Sequence, residues 1–153
     1  MERVEFLIVG AGPAGLRAAQ VLADHGREVL VLEKHAEIGP KTCAGGLTLK
    51  TVSMLRELGL PADAGLARVG RVAFGRSTAR VLDPDRAVVV TISRRELGRH
   101  QAGWARAAGA EVRAECPVSE LDLGGRTAVV DGRRLGWRHL IGADGSDSAV
   151  RRA

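Results

Sequence analysis

A short apolar stretch that runs directly into a glycine-rich turn constrains the fold of this chain more than any other feature. The stretch, Phe6 to Val9, carries no charge, as expected of a parallel strand that is covered on both faces. The run Gly10-Ala11-Gly12-Pro13-Ala14-Gly15 follows it. In such a run Gly10 permits a tight turn, Gly12 allows the backbone to approach a ligand, and Gly15 lets the next helix pack close to the strand.

The residues after this turn predict an amphipathic helix and a second buried strand. Pro13 suits the first helical turn, where its missing N–H costs nothing, and Gly26 ends the helix. The small and apolar residues that recur at helical spacing, and that we expect to face the sheet, are Ala14, Ala18, Val21 and Leu22. Val29 to Leu32 is the second strand, and it ends at Glu33.

Glu33 completes the pattern of a dinucleotide-binding unit. It follows Gly15 by 18 positions, where a carboxylate accepts hydrogen bonds from the hydroxyls of an adenine ribose. The electropositive end of the helix faces the glycine turn and attracts a pyrophosphate. A carboxylate at Glu33 would repel a 2′-phosphate, so the site disfavours NADP.

Length, charge and cysteine content limit the class of protein. With 153 residues the chain allows one domain, 1–153. The net charge of +5 is spread along the chain, and with no Tyr and 3% aromatic residues it argues against nucleic-acid binding. The two cysteines stand in unlike contexts, which predicts neither a disulfide framework nor a metal site. No apolar stretch is long enough to span a membrane and no leader is recognisable, so a cytoplasmic location is expected.

Beyond Glu33 the chain departs from a simple alternation of strand and helix. The glycine pair within Lys41-Thr42-Cys43-Ala44-Gly45-Gly46-Leu47 predicts a surface with few side chains, against which a flat ring could lie. An inserted partial β-layer, part of residues 69–93, is expected from strands at Val69–Phe74, Ala79–Leu82 and Ala87–Ile92, with a turn at Asp83–Asp85. Helices are expected at Thr48–Leu58 and Glu96–Ala108.

The last third of the chain predicts a third parallel strand, a β-meander and a final parallel strand. The third parallel strand is expected at Ala110–Glu115. The meander strands are expected at Val118–Leu121, Thr127–Val130 and Arg134–Trp137, with Asp131-Gly132 as a hairpin turn. The final strand, His139–Gly142, runs into Ala143-Asp144-Gly145 and the start of a helix.

This ending and the order of the preceding elements resemble the two-domain FAD-dependent oxidoreductases of the glutathione-reductase and hydroxylase type. In that group a GxGxxG turn, a ribose-binding Glu, an inserted β-layer, an arginine before a helix, a meander and an Asp-Gly motif occur in this order. The resemblance implies a Rossmann-like α/β FAD-binding domain with a parallel sheet. Because the further strand with a Gly-Asp motif and the substrate sheet of that group are not encoded, we expect a truncated domain.

Within the group, the segment Lys41 to Leu47 is similar to the Lys-Pro-Cys-Gly-Gly-Gly-Leu segment of the geranylgeranyl reductase family. Those flavoproteins reduce isolated double bonds of prenyl chains. The sequence departs from the family at Thr42 and Ala44, which replace Pro and Gly, and at Gly98 and Gln101, where the family usually has Asp and Leu.

The resemblance implies a set of FAD-binding residues. The pyrophosphate would be bound by Gly10, Gly12, Pro13, Ala14 and Gly15. The ribose side would be bound by Glu33 with its neighbour Lys34, and the adenine by the backbone of Val118. The isoalloxazine and substrate side would be lined by Cys43, Ala44, Gly45 and Gly46. The remaining contacts, to the pyrophosphate or ribityl region and along the flavin chain, would come from Arg94, Asp144 and Gly145.

The implied activity is reduction of isoprenoid double bonds by hydride transfer from the flavin, with NAD(P)H or a ferredoxin-type protein as electron donor. Two alternatives stay open: a fragment of an FAD-dependent monooxygenase or halogenase, and a non-catalytic truncated flavin-binding module. No catalytic residue is identified, because no Ser-His-Asp set, paired carboxylates or metal spacing is found. Cys43 is either a small residue beside the flavin or a reactive thiol, and peripheral membrane contact stays open.

Overall fold

The computed structural model divides the chain into two compact units. The first unit comprises Met1–Pro40 and Gly98–Ala153, and the second comprises Lys41–Leu97. The structure describes residues 1–64, 67–69, 71–74, 78–81 and 89–153, and between 65 and 88 it describes the strand backbone only. The expected turn at Asp83–Asp85 therefore lies outside the described residues.

Eleven strands and four helices are found in the described residues. In chain order they are β1 (Glu2–Val9), α1 (Pro13–Asp24), β2 (Val29–Leu32), β3 (Gly46–Thr48), α2 (Leu49–Glu57), β4 (Ala67–Val69), β5 (Arg71–Phe74), β6 (Thr78–Val81), β7 (Val89–Thr91), α3 (Arg94–Ala107), β8 (Glu111–Arg113), β9 (Val118–Asp122), β10 (Thr127–Val130), β11 (Arg133–Gly142) and α4 (Ala149–Arg152). None of the described helices is long and apolar enough to cross a membrane.

The first unit is built on a six-stranded sheet with the order β8-β2-β1-β11-β10-β9. The pairs β8–β2, β2–β1 and β1–β11 are parallel, and the meander pairs β11–β10 and β10–β9 are antiparallel. This arrangement confirms the predicted α/β fold with a parallel sheet and a β-meander.

Strand β11 corrects one sequence-based expectation. The separate strands predicted at Arg134–Trp137 and His139–Gly142 form one strand of ten residues. Its first half pairs with β10, and β1 pairs along almost its whole length, from Glu2 opposite Leu135 to Val9 opposite Gly142. The meander and the parallel sheet are joined because β1, which starts at Glu2 rather than at Phe6, extends far enough to pair with both halves.

The buried face of helix α1 matches its predicted apolar stripe only in part. Ala18 and Leu22 pack against the core as predicted, but Ala14 and Val21 are exposed. The buried side chains of the helix are Leu16, Ala19 and Ala23. The reason lies at the start of the helix, where Gly15 packs against the backbone of Gly10. That contact turns the side of Gly15 toward the sheet, and Leu16, Ala19 and Ala23 lie on the same side.

The two faces of the sheet carry separate apolar clusters. One cluster joins α1 and α3 to the sheet through residues such as Ile8, Ala19 and Ala105. The other joins β1 and β2 to the meander and includes Trp137, which is 4% exposed. The central strands are therefore covered on both sides, as the uncharged sequence of Phe6 to Val9 predicts.

The second unit contains two small antiparallel sheets and helix α2. One sheet has the order β3-β7-β4, and the other pairs β5 with β6. Helix α2 begins after Thr48, whose hydroxyl accepts a hydrogen bond from the backbone N–H of Thr51 at 3.2 Å. The single strand expected at Val69–Phe74 is wrong, because β4 and β5 belong to different sheets. The strands expected at Ala79–Leu82 and Ala87–Ile92 correspond to β6 and β7 in their described residues. The assignment of this unit as the substrate side of a single 1–153 domain stays a prediction.

Candidate cofactor site

Gly10 fixes the glycine turn at the carboxyl end of β1. Its backbone N–H donates to the carbonyl of Leu32 at 2.8 Å, and its φ of +103° lies in the left-handed region. A Cβ at this position would be 2.5 Å from the carbonyl oxygen of Ala143. Both the conformation and the close approach therefore require glycine.

Gly15 and Gly12 lie in the same turn but in opposite surroundings. A Cβ at Gly15 would be 2.0 Å from the carbonyl oxygen of Gly10, so the helix can pack against the turn only without a side chain there. A Cβ at Gly12 would meet nothing within 4 Å. The turn thus leaves open space beside Gly12, where a ligand could approach the backbone.

The N-terminal turn of α1 has neither a side-chain cap nor an acidic residue. Gly12 is the N-cap residue, and no side chain accepts a hydrogen bond from the first turn. The first turn, which begins at Pro13 and Ala14, contains no acidic residue. Because the free N–H groups and the helix dipole concentrate positive charge there, this end fits a pyrophosphate.

Glu33 reaches the glycine turn, as its spacing predicts. Its Oε2 accepts a hydrogen bond from the backbone N–H of Ala11 at 2.9 Å, and its Oε1 accepts one from the N–H of His35 at 3.0 Å. Each carboxylate oxygen retains a lone pair for a further donor. Lys34, the next residue, is exposed.

The segment that leads to Val118 lies against the same strand end. The backbone N–H of Cys116 donates to the carbonyl of Glu33 at 2.8 Å, and the N–H of Glu33 donates to the carbonyl of Arg113 at 2.9 Å. Val118 opens β9 two residues later and is half-buried. The backbone of Val118 is therefore near Glu33 in the first unit.

Asp144 lies next to the glycine turn but binds helix α4. The turn is held by the bond from the N–H of Ala143 to the carbonyl of Val9, at 2.8 Å. The carboxylate of Asp144 accepts hydrogen bonds from the hydroxyl of Ser148 at 2.6 Å and from the N–H of Ala149 at 2.6 Å. Burial raises the pKa of Asp144, but the bonds from Ser148 and the backbone outweigh it, so its pKa is lowered.

Gly145 follows Asp144 in the left-handed region, with a φ of +85°. A Cβ there would meet nothing within 4 Å. Space around Gly145, like that around Gly12, is therefore open in the first unit.

In the second unit, Cys43 is held by two donors. Its Sγ accepts hydrogen bonds from the backbone N–H of Gly45 at 3.4 Å and from Nη2 of Arg94 at 3.3 Å. These two hydrogen bonds, that from Gly45 foremost, lower the pKa of the Cys43 thiol and outweigh burial, which raises it. The charges of Arg94 and Lys41 lower the pKa further by smaller amounts. The exposed thiol therefore has more thiolate character than an ordinary cysteine.

Gly45 is the constrained glycine of the Cys-Ala-Gly-Gly segment. Its φ is +74°, and a Cβ there would be 2.2 Å from the carbonyl oxygen of Ile92. Ala44 is exposed, and Gly46 begins β3, which pairs with β7. Gly46, in the segment expected to form a surface with few side chains, is thus part of a strand. The sequence pattern did not indicate the contact with Ile92.

Arg94, at the start of α3, carries an unsatisfied polar atom. Its Nε is buried and has no hydrogen-bond partner among the described residues. A buried donor of this kind is costly unless a partner is supplied. An anionic ligand would satisfy it.

A close contact between loop and helix explains one departure from the family pattern. A Cβ at Gly98 would be 2.4 Å from Cα of Gly39. The Asp that the family usually has at this position would not fit against that backbone. The signal in the sequence is a glycine inside a predicted helix, which is unfavourable unless close packing requires it.

The described residues contain no group of three or more His, Cys, Asp or Glu side chains placed to hold a metal ion. The site is instead formed of backbone N–H groups, small residues and single charged side chains. With the parallel sheet and the uncapped helix end, these features define an α/β dinucleotide-binding domain.

The comparisons with known proteins identify which dinucleotide. Residues 3–153 match the family model described as FAD binding domain, so the chain belongs to this family and its cofactor is FAD. The open space at Gly12 and the uncapped helix, both in the first unit, fit that anionic cofactor.

Two curated relatives are named as different kinds of enzyme. Rifampicin monooxygenase of Streptomyces venezuelae is 32% identical over 158 residues, which cover 97% of this chain and 33% of the relative. Digeranylgeranylglycerophospholipid reductase 3 of Methanosphaera stadtmanae is 28% identical over 167 residues, which cover 99% of this chain and 42% of the relative. The likeness to geranylgeranyl reductases is thus confirmed at the level of the family.

A solved structure agrees with this assignment. Aklavinone-11 hydroxylase, in a ternary complex with FAD and aklavinone, superimposes with a TM-score of 0.73 at 27% identity, covering 99% of this chain and 35% of that one. The chain therefore spans between about a third and two fifths of the length of these proteins. It corresponds to their FAD-binding part.

Proposed function

We propose that the chain is the FAD-binding part of a flavin-dependent reductase that acts on isoprenoid double bonds. The observation that carries this proposal is the anchoring of the Cys-Ala-Gly-Gly segment, in which Cys43 receives hydrogen bonds from Gly45 and Arg94. The segment resembles the Cys-Gly-Gly-Gly segment of geranylgeranyl reductases. The name of the Methanosphaera stadtmanae relative supports the same substrate class.

The first unit would hold the adenosine diphosphate half of the cofactor. The backbone at Gly12 and the N-terminal end of α1 would bind the pyrophosphate, since the space at Gly12 is open and the first helical turn has no side-chain cap and no acidic residue. The carboxylate of Glu33 would accept hydrogen bonds from the ribose hydroxyls on its remaining lone pairs. Asp144 would stabilise α4 beside the turn, and Gly145 would leave room for the chain of the cofactor.

The second unit would serve the flavin side. Bound FAD supplies hydride transfer to a carbon–carbon double bond, and the protein supplies position and electrostatics. Ala44, Gly45 and Gly46 present little side-chain bulk, so a flat ring could lie against them. Arg94 would place a positive charge near phosphate or ribityl oxygens and so satisfy its buried Nε. The electron donor would be NAD(P)H or a ferredoxin-type protein.

A flavin-dependent monooxygenase is the second candidate. The rifampicin monooxygenase of Streptomyces venezuelae, at 32% identity, favours it. The FAD-binding features proposed for the first unit would serve alkene reduction and monooxygenation equally. A halogenase would also need FAD. A non-catalytic flavin-binding module is the third candidate, because the features of the first unit would hold a cofactor and include no assigned catalytic residue.

Mixing the reduced flavoprotein with an alkene separates these candidates. The FAD-loaded protein is reduced with dithionite without oxygen and mixed with geranylgeranyl diphosphate, and flavin absorbance is followed. Flavin reoxidation and a product with two added hydrogens are expected. A fully saturated analogue is the matched control and should leave the flavin reduced.

Two other outcomes contradict the reductase proposal. Oxygen-dependent hydroxylation of added substrate with NAD(P)H, and no alkene reduction, would identify a monooxygenase. Tight FAD binding with neither reaction would identify a non-catalytic module.

A further inference from the structure

A pocket in the first unit lies beside the apolar cluster that joins β1 and β2 to the meander. Its volume is about 330 Å³, at the lower end of the range of about 300–1,000 Å³ in which small-molecule sites fall. None of the residues that line the pocket is among those expected to contact FAD. They are Glu2, Arg113, Cys116, Val130, Asp131, Arg133, Arg134 and Leu135.

One side of the pocket is apolar. Val130 and Leu135 belong to the apolar cluster and are 8% and 3% exposed, and Cys116 packs against the same cluster. We call Val130, Leu135 and Cys116 the apolar wall. A hydrocarbon group of a ligand would lie against it.

The strand register turns the side chain of Arg133 toward the apolar wall. Arg133 is the register partner of Val130, and residues directly opposite in an antiparallel pair lie on one face. Leu135, two positions along β11, points into the apolar cluster, so Arg133 lies on the same face of the strand. Arg134 lies on the opposite face of β11.

The charge of Arg133 is available to a ligand, whereas the neighbouring pair of Glu2 and Arg113 is closed. Nη2 and Nη1 of Arg113 donate to the two carboxylate oxygens of Glu2 at 2.7 and 3.3 Å. Nε of Arg113 donates to Glu111 at 2.7 Å. Arg133 forms no ion pair with any residue that the structure describes. It is therefore the guanidinium on this face that a carboxylate could bind.

Asp131 brings an available negative charge to the same pocket. Its Oδ2 accepts a hydrogen bond from Sγ of Cys116 at 3.6 Å, which is a long bond from a weak donor. Burial and this bond raise the pKa of the Cys116 thiol, so the sulfur stays protonated and remains the donor. Asp131 and Arg133 flank Gly132, and within the described ranges they form no ion pair with each other. The pocket thus offers opposite charges on either side of one glycine.

We propose that this pocket binds a zwitterionic α-amino acid with an apolar side chain. The carboxylate of the ligand would bind Arg133, its ammonium group would bind Asp131, and its side chain would contact the apolar wall. A simple anion would lie near the carboxylate of Asp131, and a simple cation would leave Arg133 without a partner. The proposal depends on the lining of the pocket and not on the flavin reaction, so it stands apart from the proposed function.

Calorimetric titration of the FAD-supplemented protein with L-leucine tests this proposal. Saturable binding is expected. Two analogues should bind at least about tenfold more weakly, namely 4-methylpentanoate, which lacks the ammonium group, and isopentylamine, which lacks the carboxylate. Because Cys116 lines the pocket, leucine should also slow the alkylation of Cys116 by iodoacetamide. Alkylation of Cys43, in the second unit, serves as the internal control and should not change.

Two variants separate the ends of the ligand. Arg133→Gln should weaken leucine binding on the order of tenfold. Asp131→Asn should weaken leucine binding to a similar extent and leave the binding of 4-methylpentanoate no weaker. The matched control is Arg134→Gln, which removes the neighbouring arginine on the opposite face of β11 and should retain leucine binding.

Three outcomes would overturn the proposal. The first is the absence of saturable leucine binding to the unaltered chain. The second is binding of 4-methylpentanoate as tight as that of leucine, which would identify a site for simple anions. The third is an equal loss of leucine binding in Arg133→Gln and Arg134→Gln. The comparison of leucine with its two analogues uses the unaltered chain, so it decides the matter even if a variant does not fold.

Discussion

Gly12 and Gly15 are three positions apart in one turn, but the structure assigns them different tasks. Gly15→Ala would place a methyl 2.0 Å from the carbonyl oxygen of Gly10, and we expect it to lower the free energy of unfolding by about 1–3 kcal/mol. Gly12→Ala meets open space and ordinary backbone angles. We expect it to change that free energy by less than about 1 kcal/mol while weakening FAD binding.

Urea unfolding of the apoprotein and FAD titration together check this difference. Gly15→Ala should be much less stable than the unaltered chain. Gly12→Ala should bind FAD more weakly and keep nearly the same stability. Unchanged FAD affinity in Gly12→Ala would show that the space beside Gly12 does not receive the cofactor.

The two cysteines should differ in reactivity. Hydrogen bonds from Gly45 and Arg94 lower the pKa of Cys43, whereas burial, followed by the nearby Asp131, raises the pKa of Cys116. Because the thiolate is the reactive form, iodoacetamide at neutral pH should alkylate Cys43 first. Arg94→Gln should slow alkylation of Cys43 by a few fold and leave Cys116 unchanged.

Mass spectrometry of timed samples gives both rates. The matched control is Arg95→Gln, one residue away, which should leave the rate at Cys43 unaltered. Faster reaction of Cys116 than of Cys43 would refute the assigned electrostatics.

At the residue scale, the sequence predicted where single residues such as Glu33 lie in the fold, but it did not predict tertiary contacts between distant residues. The reach of Glu33 to the glycine turn followed from its spacing in a known arrangement of strand, turn and helix. The contacts of Gly45 with Ile92 and of Gly98 with Gly39 join residues about 50 positions apart or more. No local pattern encodes such pairs, because the tertiary fold alone brings them together.

At the scale of elements, Asp144 makes the stability of α4 depend on pH. Its pKa is lowered in the folded chain, so its contribution is full above the unfolded pKa, about 4, and is lost as pH falls through the folded value. Asp144→Asn should therefore lower the free energy of unfolding by about 1 kcal/mol at pH 7. The difference should shrink toward zero below pH of about 4.

Urea unfolding of the unaltered chain and of Asp144→Asn at several pH values measures the difference in their free energies of unfolding. Asp63→Asn, at an exposed position, serves as a control and should show little effect at any pH. A constant difference between Asp144→Asn and the unaltered chain down to strong acid would contradict the capping role.

Element type was predictable, whereas element boundaries and faces were not. The strand, turn, helix and strand order from Phe6 to Leu32 is encoded locally by apolar runs and glycines. The buried face of α1 differed in part from its apolar spacing because the contact of Gly15 with Gly10 sets the rotation of the helix. The single strand β11 was read as two because its burial pattern changes where it passes from the meander to the parallel sheet.

At the scale of the whole molecule, the residues expected to bind the cofactor fall in two units. Those expected at the adenosine and Asp144-Gly145 lie in the first unit, and Arg94 and the Cys43–Gly46 segment lie in the second. A dinucleotide site was predictable because Gly10 to Glu33 is local in sequence, and FAD because the chain's ending resembles that of known flavoproteins. Substrate choice was not, since the chain spans about a third to two fifths of its relatives.

The most direct test compares the binding of FAD and FMN, by calorimetric titration, to the unaltered chain and to Glu33→Gln. If the first unit holds the adenosine diphosphate half, as proposed, FAD should bind at least about tenfold more tightly than FMN. Glu33→Gln should weaken FAD binding by about tenfold and leave FMN binding unchanged. Equal affinities for FAD and FMN, or FAD binding that does not respond to Glu33→Gln, would contradict the assignment of the glycine turn and Glu33 as the cofactor site.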